Sequence, residues 1–231
     1  MNVSLEVDVN VSLEVDVNVS LARRVFLLAY SPERQRLLSR SNLGATLQAA
    51  ALYDLYEQGL IRDDAGRVTA TAHRGAAAPH CDLAADLLAR ITASERAHRW
   101  RHWVKKGDRQ ATGRVGACLE RERVIRCESH RLLGIVPVRR MRLRQPQLRT
   151  AATRAMWDAL KPGRPVARVP AADAALAALA YEGELRVVLG GRERRAAKGR
   201  IRELEADLGP VPEALRKVVR DRKSAASGAG V

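Results

Sequence analysis

The sequence predicts a mostly α-helical domain organised around one buried helix, and three observations predict it. Hydrophobic residues make up 46% of the chain but aromatics only 3%. The core must therefore be built from Leu, Ala and Val, of which Leu and Ala are strong helix formers. Apolar residues recur at three- and four-residue spacings in one segment after another. One stretch, residues 41–60, carries the signals for both helix ends, with Ser41 as N-cap and Gly59 just past the last turn. Within it Leu43, Leu47, Ala51 and Leu55 repeat every four residues, and Leu52 and Tyr56 widen the stripe. Gly44, Ala45, Ala49 and Ala50 fill the opposite side, and charge appears only at Asp54 and Glu57. A helix that is apolar nearly all round, with small residues on one flank, is one that neighbours approach closely on every side.

The other elements follow in order. Asn2 to Val9 recurs as Asn10 to Val17, so residues 1–19 form an acidic, low-complexity extension, expected to be disordered or a loose strand and given no function. Residues 21–30 (Val25, Phe26, Leu27, Leu28) open the domain as an apolar helix, and a polar loop covers 31–40. Residues 60–71, with Asp63-Asp-Ala-Gly66 as the turn, read as a small hairpin. Residues 75–79 are a linker and 82–91 an amphipathic helix. Ser94 is placed to cap a helix over 95–106, where Trp100 and Trp103 share a face and are assigned to the core edge. A basic helix over 109–123 turns Val115, Cys118 and Leu119 inward. Residues 124–136 read as a second hairpin whose returning arm is apolar. Pro146 opens a helix to 160, and 161–165 is a loop. Pro170 opens a helix through 180 that ends near Gly183, and 185–189 is a short apolar segment. Two charged amphipathic helices cover 193–208 and 211–222. The expected organisation is an extension (1–19), one domain (20–222) and a flexible tail (223–231).

Charge narrows the function classes. The chain has 41 basic against 26 acidic residues, for a formal net charge of +15. Such a protein meets nucleic acid, anionic lipid or an acidic partner. Arginine far outnumbers lysine, which suits forked recognition of phosphate. Cys81, Cys118 and Cys127 are odd in number and have no metal-ligand spacing, so a reducing cytosolic setting without disulfides or zinc is expected. His98 and His102 stand four apart, but no third ligand accompanies them and no metal site is assigned. Gly190-Gly191 lacks the Gly-Lys-Ser/Thr ending of a phosphate loop, and no serine sits in a nucleophile elbow. The expectation is a protein that is not an enzyme and carries no cofactor. No apolar run reaches the ~18 residues of a membrane-spanning helix, and the N-terminus lacks the basic and apolar regions of a signal peptide.

Five segments, taken in order, resemble the Golgi phosphoprotein 3 family in its bacterial branch: Val25-Phe-Leu-Leu-Ala-Tyr30, Leu47-Gln-Ala-Ala-Ala-Leu-Tyr-Asp-Leu-Tyr-Glu-Gln-Gly-Leu-Ile61, His102-Trp-Val-Lys105, Arg123-Val-Ile125 and Arg194-Arg-Ala-Ala-Lys-Gly-Arg-Ile-Arg-Glu-Leu204. The resemblance covers roughly residues 20–222. It implies a mostly helical domain around a central bundle with a protruding β-hairpin. Eukaryotic members bind phosphatidylinositol 4-phosphate on Golgi membranes and act as trafficking adaptors. Their head-group site uses a Trp and an Arg before and within the central helix, and two later Arg three apart. These positions fall on Ser39, Gln48, Arg109 and Thr112 here, so only Arg109 is kept, and Arg40 and Arg114 stand nearby as substitutes. The family hairpin maps to about 124–140, where Leu132, Leu133, Ile135 and Val136 beside Arg131, Arg139 and Arg140 suit an element that dips into a bilayer while arginines hold lipid phosphates. The resemblance thus implies a cytoplasmic, peripherally membrane-associated protein binding anionic lipid. It leaves the protein partner and a homo-oligomer open.

The rival class is a nucleic-acid-binding protein of winged-helix type. The central helix followed by the hairpin at 62–71 imitates helix-plus-wing order. Against it, Gln48 is the only polar side chain of useful length in the middle of that helix, whereas base recognition needs several.

Overall fold

The computed structural model describes residues 20–38, 40–71, 82–132 and 136–228. The repeat at 1–19, Ser39, the linker, Cys81, Leu133, Ile135 and residues 229–231 lie outside the described residues. The elements are α1 (Leu21–Leu28), β1 (Tyr30–Ser31), β2 (Arg36–Leu37), α2 (Arg40–Glu57), β3 (Ile61–Asp64), β4 (Arg67–Ala70), α3 (Asp82–Thr92), β5 (His98–Arg99), α4 (Trp100–Lys105), α5 (Asp108–Arg121), β6 (Ile125–Leu132), β7 (Val136–Leu143), α6 (Pro146–Leu160), α7 (Ala171–Glu182), α8 (Gly191–Glu205) and α9 (Val211–Gly228). The fold is mostly α, as the composition predicts, with small antiparallel hairpins.

Helix α2 is the centre. It packs against α1, α3, α4, α5, α7 and α9. Leu43, Ala45, Leu47, Ala49, Ala50, Ala51, Leu52 and Leu55 are all fully buried, and so are the polar Thr46 and Gln48. The small residues are what admit so many neighbours. A Cβ at Gly44 would lie 2.0 Å from the backbone oxygen of Asp108, so the start of α5 rests directly on the α2 backbone. At the other end of α7, a Cβ at Gly183 would lie 2.2 Å from Oγ1 of Thr46. Helix α2 begins at Arg40, which puts Ser41 inside the first turn rather than at the cap.

Two buried acidic features tie helices together. Asp54, on α2, accepts from the Leu21 N–H at 3.0 Å and so caps α1 from a distance, while Ser20 accepts from the Arg23 N–H. Burial pushes the Asp54 carboxyl up to about 7, against the N–H groups of Leu21 and Ala22, which favour the carboxylate. Glu182 and Glu205, near the C-termini of α7 and α8, share a half-buried site with Arg216 of α9, which lies 3.9 Å and 3.3 Å from them. Burial and the neighbouring carboxylate push Glu182 up to about 7, and burial raises Glu205.

Several local expectations change. The opening helix stops at Leu28, and Tyr30, expected in it, begins β1, which pairs with β2 from within the expected loop over 31–40. Residues 95–106 are not one helix. His98–Arg99 pairs instead with β4 as a third strand, and only Trp100–Lys105 is helical. Trp100 and Trp103 are indeed buried. Helix α9 runs on to Gly228, past the expected start of the tail at 223. The long hairpin β6–β7 pairs in register from Ile125 with Leu143 to Leu132 with Val136. Its base is fastened to the body by Tyr30, whose hydroxyl donates to the Met141 carbonyl at 2.8 Å, and by the Met141 N–H, which donates to the Gln35 carbonyl at 2.8 Å.

Candidate anion-binding site

The junction between α4 and α5 is shaped by Gly107. Its backbone is left-handed, with φ 89°, a conformation open to glycine at little cost. A Cβ there would also meet Arg90 Nη1 at 2.8 Å and Gln48 Nε2 at 2.9 Å. Both side chains donate to the Lys106 carbonyl, each at 3.2 Å, so the turn is held from α2 and α3 together. Helix α5 then starts at Asp108 with no side-chain cap. Its first-turn N–H groups and positive dipole end are a ready anion contact.

Around this helix start lies an open cleft of about 480 Å³, lined by Lys105, Gly107, Asp108, Arg109, Gln110 and Arg222. Arg222 reaches in from α9, donating to the Asp108 carboxylate and, at 2.7 Å, to the Ser41 carbonyl. That pairing occupies the one acidic group in the cleft. Lys105 and Arg109 have no ion pair among the described residues, and both are exposed. The cleft therefore combines two cations that have no ion pair among the described residues with a helix N-terminus, which is a binding geometry for an anion.

The residues singled out from sequence are distributed unevenly. Arg109 lines the cleft. Gln48 sits beneath it, fully buried, with its amide on the Lys106 carbonyl and its Oε1 without a partner. Arg114 is not in the lining: five residues after Arg109 it lies about 140° round the helix, where it pairs with Asp86 of α3 at 2.7 Å. Thr112 faces a different cleft, with Phe26, Gly113 and Gly116. Arg40 starts α2, but its side chain, like Ser39, lies outside the described residues. On the hairpin, Arg140 is exposed on β7. Leu132 and Val136 close the strand ladder, and their side chains, with those of Arg131 and Arg139, lie outside the description. Sequence reasoning missed Lys105, Gly107 and Arg222 as cleft residues. The Lys-Lys-Gly run was a local signal for the first two. Nothing local marks Arg222, which reaches the cleft by packing of α9.

Among the described residues no group of three or more His, Cys, Asp or Glu is arranged to hold a metal ion. No described helix is long and apolar enough to cross a membrane. Helix α2, buried on all sides, presents no face to a nucleic-acid groove, which removes the recognition helix of the winged-helix reading.

Fold and cleft together define a mostly helical domain with a buried central helix, a long two-stranded β-hairpin and a basic cleft at a helix N-terminus. The family model for Golgi phosphoprotein 3 (GPP34) matches residues 21–222, and the chain belongs to this family. A comparison with curated proteins finds no match.

Proposed function

We propose that this protein is a peripheral membrane-binding module, not an enzyme, and that the cleft at the start of α5 receives the phosphate of an anionic phospholipid. The observation that carries the reading is the pair of cations Lys105 and Arg109, without an ion pair among the described residues, beside a helix N-terminus with no side-chain cap in an open cleft of about 480 Å³. Forked guanidinium donors and backbone N–H groups suit a phosphate monoester, so a phosphatidylinositol 4-phosphate-like head group is the fitting ligand class. The hairpin sequence adds a second contact, with Leu132, Leu133, Ile135 and Val136 supplying apolar groups for the interface and Arg131, Arg139 and Arg140 supplying cations for lipid phosphates. Family membership supports the same reading. Attachment is reversible and cytoplasmic, with each basic group near an anionic surface contributing about 1 kcal/mol.

The test is co-sedimentation of the full chain with vesicles. Arg109→Glu is expected to lower the partition onto anionic vesicles by about thirtyfold, because reversal removes one attraction and adds one repulsion of about 1 kcal/mol each. Binding unchanged by this substitution would overturn the site.

A further inference from the structure

A second basic cleft, of about 480 Å³, lies on the other side of Lys105 and is lined by Arg67, His98, Arg99, Arg101, His102, Lys105 and Asp221. Its charges conflict with one another. Arg67 on β4 and Arg99 on β5 are directly opposite partners in an antiparallel pair, and both are exposed. Like charges in that position repel. Arg67 donates to the Ala97 carbonyl at 2.8 Å, and Arg99 has no ion pair among the described residues. The His98 and His102 rings are stacked, 4.1 Å apart and 13° from parallel, with Trp103 edge-on to both. Nε2 of His102 is buried without a hydrogen-bond partner. The only carboxylate in the lining, Asp221, is already held by Arg101 at 3.0 Å.

We propose that this cleft binds a phosphate-type oxyanion, gripped by Arg67 and Arg99 from facing strands, with His102, stacked on His98, adding positive charge as pH falls. The anion relieves the repulsion between the two guanidiniums and gives the stacked imidazoles a counter-charge. The groups facing His102 are Arg67 from β4, His98 and Arg99 from β5, Arg101, Lys105 and Lys106 from α4 and its following turn, and Asp221 from α9, while α2 adds no charge to the lining. Burial, with the charges of His98 and Lys106, holds His102 below its ordinary value. A bound anion opposes that depression, so by linkage affinity rises as His102 gains a proton. The two clefts share Lys105, but Arg109 lines only the first and Arg67 and Arg99 only the second, so substitutions at these positions separate the two readings.

The test is an NMR titration of the His102 imidazole in sodium chloride and in sodium sulfate at matched ionic strength. Sulfate is a suitable probe because it keeps both charges between pH 5.5 and 7.5, as phosphate does not. The His102 midpoint is expected to lie higher in sulfate by about 0.5 pH or more. Arg99→Gln, an exposed substitution, removes that difference, and Arg109→Glu leaves it in place. Equal midpoints in the two salts, or a difference that survives Arg99→Gln, would overturn the proposal. A parallel arm identifies the source of the anion, using vesicles with phosphatidylglycerol, whose phosphodiester charge is constant over this range. Binding at pH 5.5 about threefold or more above that at pH 7.5, lost in Arg99→Gln, makes the ligand a lipid phosphate. A sulfate effect without that rise supports the site as one for a soluble phosphate. Loss of Arg109 dependence alone would remove the first reading and leave this one standing.

Discussion

Replacing Gly44 by alanine tests the central packing of the molecule. In isolation the change favours a helix by about 1 kcal/mol. In this fold the new Cβ would stand 2.0 Å from the Asp108 backbone oxygen and 2.8 Å from its carbonyl carbon, where ordinary contact begins at 3.4 Å. Neither atom belongs to a flexible side chain, so α5 must withdraw from α2 by more than an ångström or α2 must bend. Overpacking of this kind costs about 1–3 kcal/mol, and a backbone-on-backbone clash belongs at the upper end. After subtraction of the propensity gain, a net loss of about 2 kcal/mol is expected. For a chain of this length that lowers Tm by about 4–8 °C. The control is Gly199→Ala on exposed α8, where nothing lies within 4 Å of the new Cβ. It is expected to stabilise by about 0.5–1 kcal/mol. Circular dichroism during thermal and urea unfolding reads both. A Gly44→Ala protein as stable as the Gly199→Ala control would refute the close approach of α2 and α5.

Other predictions follow from buried polar groups and from the cleft. Glu182 is raised from 4.5 to about 7, so the folded state holds its proton more tightly than the unfolded state. The stability this group contributes is fully present below about pH 4.5 and is lost as pH rises through about 7. The full shift corresponds to about 3 kcal/mol, and solvent screening with the help of Arg216 reduces the expectation to about 1–2 kcal/mol. Glu182→Gln should reduce the slope of the Tm profile between pH 5 and 8, leaving the part that the similarly raised Asp54 contributes, and an unchanged slope would remove Glu182 as a source of it. Asp54→Ala, which leaves the Leu21 and Ala22 N–H groups without their cap, is expected to cost about 1–2 kcal/mol in urea titrations at pH 6. Gly107→Ala combines strain at φ 89° with contact against Arg90 and Gln48, and is expected to reduce vesicle binding by several-fold as well as stability. Retained binding in that variant would show that the turn does not shape the cleft.

How much was legible depended on whether the signal was local. Helix α2 could be read because Gly59 marks its end and because its apolar pattern leaves no polar face. Helix α6 could be read from Pro146 for the same kind of reason. Strand β5 could not, because His98 and Arg99 become a strand only by pairing with Val68 and Arg67, thirty residues earlier. The continuation of α9 was hidden because residues 223–228 are short and weakly patterned, so nothing in them announces either helix or tail. Arg109 and Arg114 look equivalent in a basic run, yet five residues of helical rotation turn one to the cleft and the other to Asp86. Arg222 reaches Asp108 across 114 positions of sequence, a convergence no local pattern encodes.

The most direct test of the membrane reading compares full-length protein on three vesicle types in one co-sedimentation series: neutral lipid, generic anionic lipid, and phosphatidylinositol 4-phosphate at charge matched to the second, each with and without competing duplex DNA. A functioning head-group cleft predicts tighter binding to the phosphoinositide at matched charge, loss of that preference in Arg109→Glu, and indifference to DNA. No binding to any vesicle, with DNA retained by the protein, would contradict it.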